Sequence, residues 1–237
     1  MLNIKLVQNI ERFALKRVNA MEKQMAFATS VALNNVGFDA RKNLNNSTKQ
    51  YFSQPVKFTQ TAFLVKKSTK RNLITTVYAN DQPGKGKSNR SRARYLRFGT
   101  AGGSRPQKGY EKFFHGAIQS DGTIPANSFF VPANRAGYVK IDKYGNVSNA
   151  TLRSIGKGLK NPAGRGGFFM GTPKGGNRLP GIYRRSRKQL FPYFIATTDQ
   201  PDYSKRFPIT TITQKTIDRK FDKYFQTALS KAIATAR

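Results

Sequence analysis

His115 is the only histidine among 237 residues, and there is no cysteine. A Ser–His or Cys–His nucleophile pair therefore has one candidate base at most. That base sits in Phe113-Phe114-His115-Gly116 with no partner suggested by spacing, so it reads as a packed or surface histidine rather than a general base. The eleven acids are scattered, with no close D-x-D or E-x-x-E pair of the kind that holds a catalytic metal for phosphoryl transfer. Without cysteine, disulfides and thiolate metal sites are excluded, and one histidine cannot make a histidine-rich centre. Gly164-Arg165-Gly166-Gly167 and Gly171-Thr172-Pro173-Lys174-Gly175-Gly176 lack the spacing of a phosphate-binding P-loop. We expect no catalytic residue, no metal and no cofactor.

The chemistry left is charge. Forty-three Lys and Arg against eleven Asp and Glu give a formal charge of +32. Such a surface repels itself and becomes tolerable beside a polyanion or an acidic partner. The imbalance is concentrated: Lys143 to Thr198 holds no acid, yet carries Arg153, Lys157, Lys160, Arg165, Lys174, Arg178, Arg184, Arg185, Arg187 and Lys188. Two basic stretches, 85–97 and 153–188, are the candidates to face nucleic acid. Lys85, Lys87, Arg90, Arg92, Arg94, Arg97, Arg184, Arg185, Arg187 and Lys188 are the residues singled out. Contacts to acidic neighbours, or plain solvation, are the alternatives for these loops.

These residues need elements to position them. Aromatics make up 12% of the chain, more than a disordered basic tail carries, so most of it should fold. No run is long and apolar enough to span a membrane, and Lys5, Glu11, Arg12, Lys16 and Arg17 interrupt any signal-peptide core. We therefore expect no membrane association.

Apolar residues at Leu6, Ile10, Phe13, Ala14, Val18 and Met21 continue through Met25, Ala28, Ala32, Val36, Ala40 and Leu44, a helical stripe over 4–46. Gly37 is a candidate kink, and Asn45-Asn46-Ser47 a candidate end. Residues 58–67 and 72–79 alternate as an antiparallel hairpin. Residues 81–92 read as a flexible basic loop, and Ala93–Phe98 as a short apolar-basic element ending at Gly99. Ile124–Ala133 is an apolar run bracketed by Pro125 and Pro132, and Val139–Asp142 a short strand. The Gly-rich stretch 143–180 is expected to be irregular. Gln189–Thr197 is a strand, and Thr211–Thr235 a helix with the stripe Ile217, Phe221, Tyr224, Phe225, Ala228, Leu229, Ala232 and Ile233. The expected fold is α+β, one domain over 1–237, with terminal helices packed on a small, mainly antiparallel sheet and long basic loops.

Three stretches in order resemble bacteriophage head–tail joining proteins. Arg94-Tyr95-Leu96-Arg97-Phe98-Gly99-Thr100 looks like the Y-hydrophobic-x-F-G-T element of the phage tail-completion family. Pro125-Ala126-Asn127-Ser128-Phe129-Phe130-Val131-Pro132-Ala133 is similar to that family's P-A-x-x-F-hydrophobic-x-P-A element. Leu179-Pro180-Gly181-Ile182-Tyr183-Arg184-Arg185, with Arg206-Phe207-Pro208 and the terminal helix, resembles the distal half of the lambdoid minor tail protein Z group. About two dozen residues separate the first two elements, where compact relatives have few, and 143–180 is a further enlargement.

The resemblance implies a non-enzymatic virion protein of the head–tail interface, made in the bacterial host cytoplasm. It implies a homo-oligomeric ring, a hexamer, between a tail tube or tail terminator protein and head-side connector or portal proteins, around a channel for phage DNA. Phe98, Gly99, Phe129, Phe130 and Val131 are the implied subunit-interface candidates. Gly99 would allow a sharp turn, and the two prolines would stiffen the second element. The rival reading is a sequence-independent nucleic-acid-binding protein outside a virion, in which basic residues interleaved with aromatics track a backbone and stack on bases. A DNA-processing enzyme is disfavoured by the residue inventory.

Overall fold

A computed structural model describes residues 2–81, 91–117, 124–133, 138–161, 167–175, 177–187 and 189–235, with side chains from Met21 onward. In chain order the elements are α1 (Leu2–Tyr51), α2 (Lys57–Gln60), β1 (Phe63–Lys66), β2 (Thr76–Ala79), α3 (Arg92–Ala101), β3 (Gly103–Ser104) and α4 (Gly109–Ala117). Then come β4 (Phe129–Pro132), α5 (Asn149–Lys160), β5 (Phe168–Gly171), β6 (Gly181–Ser186), β7 (Gln189–Thr197), β8 (Asp202–Tyr203) and α6 (Ile209–Ala234). Every strand pairing is antiparallel, so the α+β expectation with long terminal helices holds. The chain forms two compact units, Met1–Thr100 with Arg206–Arg237, and Ala101–Lys205.

The first unit is built on α1 and α6. Ala28, Ala32, Val36, Ala40 and Leu44 recur every four residues and are buried, one ridge of a helix surface. The buried residues of α6 are equally small, namely Thr216, Ala228 and Ala232, so the two helices can approach closely. Polar bonds pin the antiparallel register. Asn43 donates to the Thr216 hydroxyl at 2.9 Å, and Asp39 accepts from Lys220 at 2.7 Å and from the Tyr224 hydroxyl at 2.6 Å. Burial alone would raise the Asp39 carboxyl. The bonds and charge of Lys220, with the Tyr224 bond, outweigh it and leave the group below its ordinary value.

Two expected breaks in α1 are absent. Gly37 lies inside the continuous helix, where a Cβ would strike the Thr75 side chain, so its role is close packing rather than a kink. Asn45 does not end the helix either. Its side chain accepts the Phe63 amide at 3.1 Å while α1 runs on to Tyr51. Met21 and Met25 of the expected stripe are exposed, and Leu6 to Val18 lie outside the residues whose side chains are described.

The β1–β2 hairpin is shorter than expected, because 57–60 form α2. Asn34 clamps the connection, accepting the Ser68 amide at 2.8 Å and the Thr75 hydroxyl at 3.0 Å. Leu44, Ala62, Phe63, Leu96 and Phe207 form the local core. The first motif is helical: α3 runs through Gly99, whose missing Cβ makes room for the Phe52 ring. Gly99 is thus a packing glycine, not a sharp turn. The turn comes later, at Gly102 and Gly103, with φ of 75° and 94°. The Gly99 carbonyl accepts the Arg206 and Phe207 amides at 2.9 and 2.8 Å, tying the first motif to Arg206-Phe207-Pro208.

The second unit has a four-stranded sheet, order β4-β7-β6-β5, with α4 and α5 on one face. Phe114, Phe130, Phe194, Ile155 and Ile182 fill the core between them, each at 2% exposure or less. A bulge in β7 places Tyr193 beside Phe194, and both pack toward this core. The stretch 143–180, expected to be irregular, contains both α5 and β5. Glycine there signals packing rather than looseness: a Cβ on Gly156 would meet the Phe113 ring, and one on Gly158 the Phe168 ring. Ser148 caps α5 by accepting the Thr151 amide at 3.1 Å. In place of the strand expected at 139–142 there is a single bridge between Ile141 and Val147.

An ion pair anchors the second motif. Arg105 grips Glu111 through two bonds, 2.8 and 2.9 Å, with the Glu111 side chain fully buried. Glu111 also accepts the Lys108 and Phe130 amides. Burial pushes its carboxyl up, but those bonds and the Arg105 charge win and hold it below its usual range. The Tyr110 hydroxyl donates to the Phe130 carbonyl at 3.3 Å, and burial, helped by the Glu111 charge, pushes that phenol up to about 12. The Phe130 amide and carbonyl thus find side-chain partners from α4, which caps the outer edge of β4.

Candidate nucleic-acid interface

The densest described cluster of predicted residues is the β6–β7 hairpin. Arg184, Arg185 and Arg187 are all exposed there. Ser186 pairs with Gln189, so Arg187 stands at the tip of the hairpin, and Lys188 lies outside the described residues. Arg187 has φ 51°, a left-handed conformation uncommon for a long side chain. Two-residue hairpin turns require such geometry and usually recruit Asn or Gly for it. An arginine there costs about 1–2 kcal/mol, which its exposed side chain does not recover by packing.

Alternation sends the neighbouring arginines to opposite faces. On one, Arg185 lies 5.5 Å above the Phe169 ring, which itself stacks on Tyr183 at 5.7 Å. The Tyr183 hydroxyl is tied to the Leu179 carbonyl at 2.6 Å, and burial raises its pKa. A hollow of about 370 Å³ opens there among Lys174, Arg185 and Arg187. On the other face Arg184 borders a larger groove beside α5, with Lys140 and Lys157. Among the described residues, none lining either hollow is acidic.

The other predicted residues lie in the first unit or outside the described residues. Arg94 and Arg97 are exposed on α3 in the first unit. Arg92 is engaged by the fold, donating to the Thr61 carbonyl at 2.9 Å and lying 5.1 Å over the Phe58 ring. Lys85, Lys87 and Arg90 fall outside the described residues.

Of the interface candidates, Phe98 and Gly99 are half-buried in the first unit. In the second, Phe130 is core and Phe129 is buried under the Arg105 guanidinium at 5.1 Å. Val131, between them and Pro132, is 55% exposed. His115 Nε2 lies 3.0 Å from the Ser128 carbonyl, an acceptor, so that nitrogen carries the hydrogen. Its ring packs 5.1 Å from Phe130. Among the described residues no group of three His, Cys, Asp or Glu could hold a metal, and no helix is long and apolar enough to cross a membrane.

Lys140 and Tyr138 were not singled out by sequence reasoning, and Lys157 only as part of the basic stretch 153–188. The readable signal was the alternation Tyr138-Val139-Lys140, with Val139 buried between two exposed side chains.

No family model, curated protein or solved structure matches this chain.

Proposed function

We propose that this chain is a structural protein of a bacteriophage neck. In this reading six copies form a ring that completes the tail, joins it to the head-side connector and surrounds an axial DNA channel. The observation that carries it is the β6–β7 arm. Its exposed arginines lie in a stretch without acids, and its tip holds Arg187 in a conformation that another residue would adopt more easily. A strained tip retained for its charge fits contact with phosphate, which needs no sequence reading and lets DNA move. The motif order along the chain supports the placement at the head–tail interface, and the exposed Val131 beside a capped strand edge offers side-chain docking between subunits. The chain acts by binding and not by catalysis, in the virion, after synthesis in the host cytoplasm.

Light scattering and negative-stain imaging of the purified protein, alone and with purified tails, test this. A defined ring, or a ring completed on the tail end, is expected. A monomer that ignores tails and coats any nucleic acid would favour a non-virion binding protein instead, a role that the same arginines and neighbouring aromatics would also suit.

A further inference from the structure

The larger groove of the second unit has features that phosphate contact alone does not use. It measures about 740 Å³, the size of a site for one or a few small groups. Among the described residues, three cations border it: Lys140, Lys157 and Arg184, all exposed. Its α5 wall is low where Ala150 and Ser154 present small, exposed side chains one helical turn apart. Opposite lie flat rings. Tyr138 is 45% exposed, and Phe191 holds its ring edge-on at 4.5 Å. Tyr193, another lining residue, is set edge-on to Phe168 at 4.9 Å.

We propose that this groove binds unpaired nucleic acid, taking phosphates on Lys140, Lys157 and Arg184 while a base stacks on Tyr138. A cationic track beside an accessible, orientationally fixed aromatic ring is the arrangement that holds single strands without reading sequence. An acidic polypeptide would use the cations and leave the rings idle, so nucleic acid is the better match. The inference rests on the reading that the second unit meets DNA, and extends it. Duplex touches Arg185 and Arg187 on the far side of the sheet, and an unpaired segment enters the groove.

The test is fluorescence anisotropy on the full chain with oligothymidylate and a duplex, each about 12 units long, within the span of known single-strand sites. Tyr138→Ala should weaken single-strand binding about 5- to 150-fold, leave its salt slope intact and leave duplex binding unchanged. Tyr138→Phe should keep the affinity. Lys157→Gln should lower the single-strand salt slope by about 0.7. Circular dichroism identifies any variant that unfolds; where Tyr138→Ala does, Lys157→Gln decides, because a salt slope unchanged for the single strand overturns the groove. The groove is overturned by full single-strand affinity in folded Tyr138→Ala, by equal loss for single strand and duplex, or by competition from polyglutamate as effective as from oligonucleotide. Duplex binding that needs Arg185 and Arg187, without any single-strand preference, removes the groove and keeps the DNA path. A single-strand preference in a protein that never joins tails keeps the groove and removes the neck.

Discussion

Replacing Arg187 with glycine should make the protein more stable and bind DNA less well. Arg187 sits at φ 51° at the hairpin tip. A non-glycine residue pays about 1–2 kcal/mol for left-handed backbone, whereas glycine brings an entropy penalty of about 0.5–1 kcal/mol. The exposed side chain has no packing to lose, so the balance is a gain of about 0.5–1 kcal/mol. Urea unfolding followed by circular dichroism reads this as a raised midpoint with unchanged slope. In parallel, the salt dependence of duplex binding should flatten by about 0.9, because one phosphate is no longer neutralised, equally for unrelated sequences. Lower stability, or an unaltered salt slope, would refute the argument that the tip is strained in order to place a charge.

Glu111→Ala should cost about 3–5 kcal/mol, because it strands the nearly buried Arg105, while the double variant Arg105→Met, Glu111→Leu should cost less than that single change, as a double-mutant cycle in urea would show. Since the folded Glu111 pKa is depressed, its contribution should be complete above about pH 4.3, the unfolded value, and lost as pH falls through the folded one, which unfolding curves across acid pH would check. Phe130→Ala should cost about 3–5 kcal/mol, whereas the exposed Val131→Ser should leave the unfolding midpoint alone and weaken ring assembly in light scattering. Gly181→Ala should destabilise by about 1–3 kcal/mol, because its Cβ meets the Phe194 backbone carbonyl, while Gly156→Ala should cost far less, because the obstacle is the exposed Phe113 ring; thermal melts of the two separate backbone from side-chain crowding.

What the sequence made legible was apolar periodicity. Ala28 to Leu44, the hairpin around 63–79 and β7 follow spacing rules that act locally, whereas of the expected α6 stripe only Ala228 and Ala232 are buried and Ile233 is exposed. What it hid depends on partners distant in the chain. Gly156 and Gly158 looked like loop residues and are instead the seats of Phe113 and Phe168, so α5 was missed. Gly37 and Asn45 looked like helix breakers, but one receives Thr75 and the other caps the Phe63 amide. Glu111, an acid in a basic chain flanked by aromatics, gave no sign that Arg105 and two amides would bury it. The site was partly legible, because charge density marks Arg184, Arg185 and Arg187. Spacing alone could not show that alternation sends the first two to opposite faces, or that Tyr138 and Lys157 share a groove with Arg184.

The neck assignment stands or falls on the particles made when this chain is missing. Deleting its coding sequence from the genome that carries it and imaging the lysate by electron microscopy gives the answer directly. The account predicts filled heads and free tails, unjoined, with joining restored when the wild-type chain is added back. Normal, infectious particles in the deletion would contradict it.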